Sequence, residues 1–212
     1  MTHVLTEEDL ILVTGASGYL ATHIIKQLQE IGHRVRGTVR NIKDQKKVDP
    51  LKTLAYNPKH ELELVEADLM DEKSWNDAVK NCTFVIHVAS PVPTYVPKDE
   101  NEVIKPAVNG VINVFKACAN DDSKVRRVVF TSSLATICGD EFQTGKVYSE
   151  NDFADPQISQ PYTKSKILAE KAAFEFVNER KKRGEKCFEL VVLNPGLILG
   201  PVLHDIIGAS LL

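Results

Sequence analysis

Four cysteines stand far apart in these 212 residues, at Cys82, Cys118, Cys138 and Cys187. They form no CxxC pair and no Cys/His spacing of a metal site, so neither a disulfide framework nor a zinc module organises the chain. They read as small core hydrophobes in a reducing compartment, and a cytoplasmic location is the expectation. The six histidines are equally scattered, and no metal site is expected. No apolar run approaches the ~20 residues needed to span a bilayer. The first nine residues carry acids where a secretory leader carries basic and then apolar residues. There is no internal repeat and no low-complexity tract. Nor is there excess positive charge: 26 Lys and Arg against 29 Asp and Glu leave a net charge of −3. That argues against nucleic acid or an anionic membrane as the partner. A hydrophobic content of 43% in a chain of this length suits a large domain with a substantial core.

What is there begins with Leu10-Ile11-Leu12-Val13-Thr14-Gly15-Ala16-Ser17-Gly18-Tyr19-Leu20-Ala21. Four large aliphatics predict a strand buried on both faces of a parallel sheet. Gly15 allows a tight turn, Gly18 lets the backbone approach a bulky anion, and Ala21 permits close helix-on-strand packing. From Tyr19 apolar residues recur at helical spacing until Gly32 stops the run. A helix starting there aims its free N–H groups and positive dipole end at a phosphate.

Further apolar stretches at 35–39, 62–65, 84–88, 128–130 and 190–193 predict five more strands. Between them, 43–56 (interrupted by Pro50), 73–79 (with Asp71 as N-cap), 103–119 and 161–182 predict helices, and 139–160 a polar loop. This alternation is the sequence form of βαβ units. It predicts an α/β, Rossmann-type doubly wound parallel sheet with helices on both faces and a ligand beyond the carboxyl ends of the strands. Residues 1–200 make up the dinucleotide-binding domain on this reading, and 201–212 a short apolar tail.

An NAD site of this type needs an acid about 20 residues past the glycines to bind the ribose 2′-hydroxyl. Here stand Thr38, Val39 and Arg40. The Arg40 guanidinium suits a 2′-phosphate, with Lys46 and Lys47 nearby as further cations, so NADP(H) is expected over NAD(H).

Tyr162-Thr163-Lys164-Ser165-Lys166 places a phenol and an ammonium on one helix face. A lysine at ~4 Å lowers a phenol pKa by about three units at an effective dielectric near 20, bringing Tyr162 to ~7. Tyr162 then acts as general acid/base on a carbonyl oxygen. Lys166 tunes it and bonds the cofactor ribose. Ser133, at the end of the fifth strand, steadies the developing oxyanion.

The chain resembles the extended short-chain dehydrogenase/reductases of the NAD-dependent epimerase/dehydratase superfamily, within them the dihydroflavonol-4-reductase-like group. The resemblance rests on the segments 13–19, 38–40, 67–69, 87–91, 101–106, 126–133, 162–170 and 194–196, in that order. It implies a cofactor turn of Gly15, Ser17, Gly18, Tyr19 and Leu20. It implies 2′-phosphate ligands in Arg40 and Lys47, and adenine contacts in Asp68 and Leu69. Val88, Ala89 and Ser90 line the cofactor, and Pro195 lies beside the nicotinamide amide. Ser133, Tyr162 and Lys166 match the catalytic set, the last two also touching cofactor. His87 reads as packing. Cys138 stands where flavonoid reductases carry a substrate-reading Asn, which counts against a flavonoid. Family members continue well past Leu212, so the C-terminal substrate subdomain is expected to be largely missing.

An NADPH-dependent reductase of small aldehydes or ketones is the leading expectation, as a monomer or homodimer. A non-catalytic NADP(H)-binding protein and a sugar- or steroid-type extended dehydrogenase remain as alternatives, the latter disfavoured by Arg40.

Overall fold

The computed structural model describes residues 5–90 and 97–203. Strands β1 (Leu10–Val13), β2 (Arg34–Val39), β3 (Glu63–Glu66), β4 (Phe84–His87), β5 (Arg127–Thr131) and β6 (Glu189–Leu193) form one sheet. Every pairing is parallel and the order is β3-β2-β1-β4-β5-β6. The order reverses between β1 and β4, which opens the crevice where a doubly wound sheet takes its ligand. The helices are α1 (Tyr19–Glu30), α2 (Gln45–Val48), α3 (Ser74–Val79), α4 (Asn101–Cys118), α5 (Ala135–Cys138) and α6 (Pro161–Lys182).

Strand periodicity divides the core. Leu10 and Leu12 pack with α3, α4 and α6 on one face, where Trp75, Phe115 and Val128 are buried. Ile11 and Val13 pack on the other face with α1, α2 and the segment around Leu51. This second face is well covered over β1 and β2. Over β5 and β6 it thins: Val129 and Val191 are half-buried and Leu193 is 52% exposed.

Some expectations need correction. The helix expected over 43–56 is α2 followed by a 3₁₀ turn, Asp49–Thr53, because Pro50 near its start cannot continue the α-helical ladder. Asp71 does not cap α3. Its carboxylate accepts the Lys73 N–H at 3.1 Å in a local turn, and Lys73 holds the N-cap position without a side-chain bond. The single-turn helix α5 has no periodic signal in the sequence and went unforeseen. Strand and helix ends elsewhere shift by one or two residues. Of the apolar tail, 204–212 lies outside the described residues, as do Pro91 and Pro93.

Candidate active site

The glycine turn is built from backbone. Gly15 adopts φ +68°, a conformation that disfavours a side chain. Its N–H donates to the Thr38 hydroxyl at 2.9 Å, and the Ala16 N–H to the Thr38 carbonyl at 2.8 Å. Thr38 thereby ties β2 to the turn. The first turn of α1 has no side-chain cap, and its leading N–H groups face the crevice end of the sheet. Ser17, Gly18 and Leu20 are partly exposed there, whereas Tyr19 is buried and stands edge-on to His23.

The rim after β4 is pinned to this turn by Thr14, which sequence reasoning missed. Its hydroxyl accepts the N–H groups of Val88 (3.0 Å) and Ala89 (2.9 Å). The hydroxyl's own proton therefore goes to His87 Nδ1, 2.8 Å away, and His87 carries its proton on Nε2. The His87 ring is fully buried and stacks on Phe130 with centroids 5.5 Å apart. Burial, aided by the charge of Lys166, pushes its pKa down to about 3. His87 thus packs, as expected, and also orients Thr14. Ala89 lies so close to the turn that a Cβ on Gly15 would approach its Cβ to 3.1 Å.

Arg40 is exposed at the carboxyl end of β2 and holds no ion pair among the described residues. Lys47, by contrast, lies 3.6 Å from Asp44. The Asp68 carboxylate accepts the Met70 N–H at 2.8 Å, and its carbonyl takes the indole N–H of Trp75 at 2.8 Å. Leu69 packs against Gly110 of α4.

The structure brings Ser133, Tyr162 and Lys166 to one rim. The Ser133 hydroxyl accepts the Ala135 N–H at 3.2 Å and lies near enough to Tyr162 to act on its phenol, while Ser132 faces inward and is buried. Lys166 Nζ donates to Ser90 Oγ at 3.0 Å and lies 6.0 Å from the centre of the Tyr162 ring. Burial lowers the Lys166 pKa to about 8, opposed by the charge of Glu170. Burial raises the Tyr162 phenol above its usual value, with the nearby Ser133 hydroxyl working the other way. The expected fall of Tyr162 toward neutrality is therefore absent in this arrangement. The ammonium is turned to Ser90, and the phenol keeps its proton at neutral pH. Pro195 follows β6 on the same rim, its carbonyl accepting the Leu134 N–H at 2.9 Å.

Three acidic residues that sequence reasoning missed hold this rim in place. Asp140 accepts the Gln160 N–H at 2.7 Å and the Thr163 hydroxyl at 2.5 Å, fixing the start of α6 beside Tyr162. Glu100 pairs with Lys164 at 2.9 Å. Glu170 is buried and takes the hydroxyls of Ser132 and Thr136 and the amide of Asn194. Its one available signal was spacing: it lies one turn beyond Lys166 on α6. Among the described residues no group of three His, Cys, Asp or Glu could hold a metal ion, and no helix is long and apolar enough to cross a membrane.

Comparison with known proteins agrees with this architecture. Dihydroflavonol 4-reductase of Arabidopsis thaliana is 39% identical over 99% of this chain and 54% of its own. Cinnamoyl-CoA reductase 1 of Petunia hybrida is 39% identical over 96% of this chain and 59% of its own. Among solved structures, Gre2 of Candida albicans in complex with NADPH superposes with a TM-score of 0.77 at 31% identity, covering 92% of this chain and 59% of that one. Vestitone reductase of alfalfa (Medicago sativa) gives 0.75 at 30% identity, covering 95% and 61%. The chain spans little more than half the length of the curated relatives it matches. The profile of the 3-beta hydroxysteroid dehydrogenase/isomerase family matches residues 12–208, from within β1 to past β6. A doubly wound sheet with this strand order, matched nearly end to end by that profile and by reductases of the dihydroflavonol-reductase-like group, places the chain in the 3-beta hydroxysteroid dehydrogenase/isomerase family.

Proposed function

We propose that this chain belongs to an NADPH-dependent reductase that converts a small aldehyde or ketone to its alcohol. The observation that carries the reading is that Ser133 and Tyr162 adjoin on the same rim as the glycine turn, with Lys166 linking that rim to Ser90. The residues fit the cofactor. The turn at Gly15 leaves uncapped N–H groups for a pyrophosphate, and Arg40, without an ion pair among the described residues, stands where a 2′-phosphate would lie. Lys47 adds a second, partly neutralised one. Asp68 and Leu69 border the adenine position. Val88, Ala89 and Pro195 border the nicotinamide half. NADPH, when bound, supplies the hydride.

The chain's own part is protonic and electrostatic. Ser133 donates a hydrogen bond to the substrate carbonyl oxygen and favours charge on it. Tyr162, protonated at neutral pH, gives that oxygen its proton. Lys166, held in a buried position, lowers the cost of the phenolate that remains. Its other role is to bond the ribose. Cys138, in place of a polar substrate-reading residue, favours a small or apolar carbonyl over a flavonoid.

The test is a fluorescence titration of the purified chain with NADPH and NADH, followed by a panel of small aldehydes and ketones. NADPH should bind at least about tenfold more tightly than NADH, the equivalent of ~1.4 kcal/mol from the charged 2′-phosphate contacts. Tyr162→Phe should abolish carbonyl-dependent NADPH oxidation and leave NADPH affinity within about twofold. Full activity in that variant would sink the assignment of Tyr162. Tight NADPH binding with no turnover of any carbonyl by the wild-type chain would favour a non-catalytic NADP(H)-binding role.

A further inference from the structure

We infer that Glu170 is a positioning residue for the catalytic rim, an inference that rests on the reductase reading above. Glu170 orients Ser133 through Ser132 and provides the anion that sustains the charge of Lys166. Glu170 is only 4% exposed. One oxygen receives three donors from three separate segments: Ser132 Oγ at the end of β5, Thr136 Oγ1 of α5 at 2.8 Å and Asn194 Nδ2 after β6 at 2.8 Å. The same Asn194 amide reaches the Thr136 hydroxyl at 2.8 Å and the Ser133 carbonyl at 3.2 Å. A buried carboxylate satisfied in this way rigidifies all three segments.

The link to Ser133 is geometric. Strand-like bonding continues past β5, with the Ser132 N–H on the Leu193 carbonyl at 2.8 Å and the Leu134 N–H on the Pro195 carbonyl at 2.9 Å. In such backbone consecutive side chains point to opposite sides. Anchoring the Ser132 hydroxyl inward on Glu170 therefore sends the Ser133 hydroxyl to the other side, where it accepts the Ala135 N–H at 3.2 Å and adjoins Tyr162.

The link to Lys166 is electrostatic. Glu170 lies one turn further along α6, and its charge favours the ammonium against burial. Among the described residues, the other groups facing Lys166 are Ser90 and His87 from the β4 side and Tyr162 on its own helix. His87 is neutral and Tyr162 is protonated at neutral pH, so Glu170 is the anion among them.

Three variants separate the two roles. Glu170→Gln keeps the shape and removes the charge, Glu170→Asp keeps the charge and withdraws it by one methylene, and Ser132→Ala removes a single donor. Lys166 is followed directly in protein labelled with ¹³C at lysine Cε, its resonance assigned by loss in Lys166→Arg. This readout needs no turnover, so it stands even if the reductase reading fails. Lys166 should titrate about one pH unit lower in Glu170→Gln and within a few tenths of wild type in the other two variants. Carbonyl-dependent kcat should fall about tenfold in Ser132→Ala, with NADPH affinity nearly unchanged. Should Glu170→Gln fail to fold, Glu170→Asp takes its place: a tenfold loss of kcat with unmoved Lys166 titration supports the orienting role. An unmoved Lys166 titration in folded Glu170→Gln overturns the electrostatic role. Wild-type kcat in Ser132→Ala overturns the orienting one.

Discussion

The glycine turn and the start of α6 end on the same rim, yet they are held there in opposite ways. The turn is fixed by backbone and by the smallness of its residues: Gly15, Ala16, Gly37 and Ala89 pack where no larger side chain fits, and Thr38 and Thr14 close the gaps with backbone hydrogen bonds. The Tyr162 end is fixed by side chains, through carboxylates on Asp140, Glu100 and Glu170 that take hydroxyls, amides and an ammonium. A phosphate needs a rigid, featureless cradle of N–H groups, and close packing makes one. A proton donor needs set direction and set charge, and those come from buried polar contacts.

The sharpest way to break the first half of this contrast is Gly37→Ala. The new Cβ would meet the Ala16 Cβ at 2.7 Å and Leu64 Cδ2 at 3.2 Å, both in the packed core, so the turn itself must shift. A loss of about 2 kcal/mol, or ~5 °C in thermal midpoint, is expected together with weakened NADPH binding. A melt and a cofactor titration of the variant check both.

His87 joins the two regions, and its effect appears on acidification. Its folded-state pKa of about 3 lies below the usual 6.5. Between those values the unfolded chain binds a proton that the folded chain does not. Stability is therefore lost as pH falls through that window, and this loss is absent above it. His87→Asn, which keeps an acceptor for Thr14, should shrink the stability lost between pH 7 and pH 4 by up to ~3 kcal/mol. Urea unfolding of both proteins at the two pH values measures this, and an unchanged difference would remove His87 from the account.

The smallest effect belongs to Lys164→Gln. The Lys164–Glu100 pair is short, 2.9 Å, but its side chains are 24% and 43% exposed. It should contribute under ~1 kcal/mol, and less as salt is raised. Thermal melts at low and high ionic strength would show it. A larger, salt-independent loss would mean that the side-chain anchoring of α6 extends to its surface.

The same contrast explains what was legible in the sequence. Leu10–Val13 announced a doubly buried strand, and Gly15, Gly18 and Ala21 a close turn, because these depend on local size and periodicity. The helix Pro161–Lys182 was readable from end to end for the same reason, with Pro161 at its first position. Asp140 and Thr14 left no such trace, and Glu170 left only its spacing from Lys166. Their partners lie between 20 and 75 residues away in the chain, and a lone Asp, Glu or Thr in a sequence looks like any solvated one. Nor does the sequence separate Ser132 from Ser133 physically; that distinction appears only in the fold, where Ser132 faces Glu170.

By itself the sequence determined the parallel sheet, the glycine turn, the helix carrying Tyr162 and Lys166, and the missing acid that leaves Arg40 at the end of β2. Each is a matter of local pattern: residue size, spacing and charge within a few positions of one another. Only the tertiary structure decided which serine meets Tyr162, where the Lys166 ammonium points, and that the Tyr162 phenol keeps its proton. Those depend on burial and on contacts between distant segments. Desolvation and hydrogen bonding at such contacts outweigh the sequence-based estimate for a lysine and a tyrosine four residues apart.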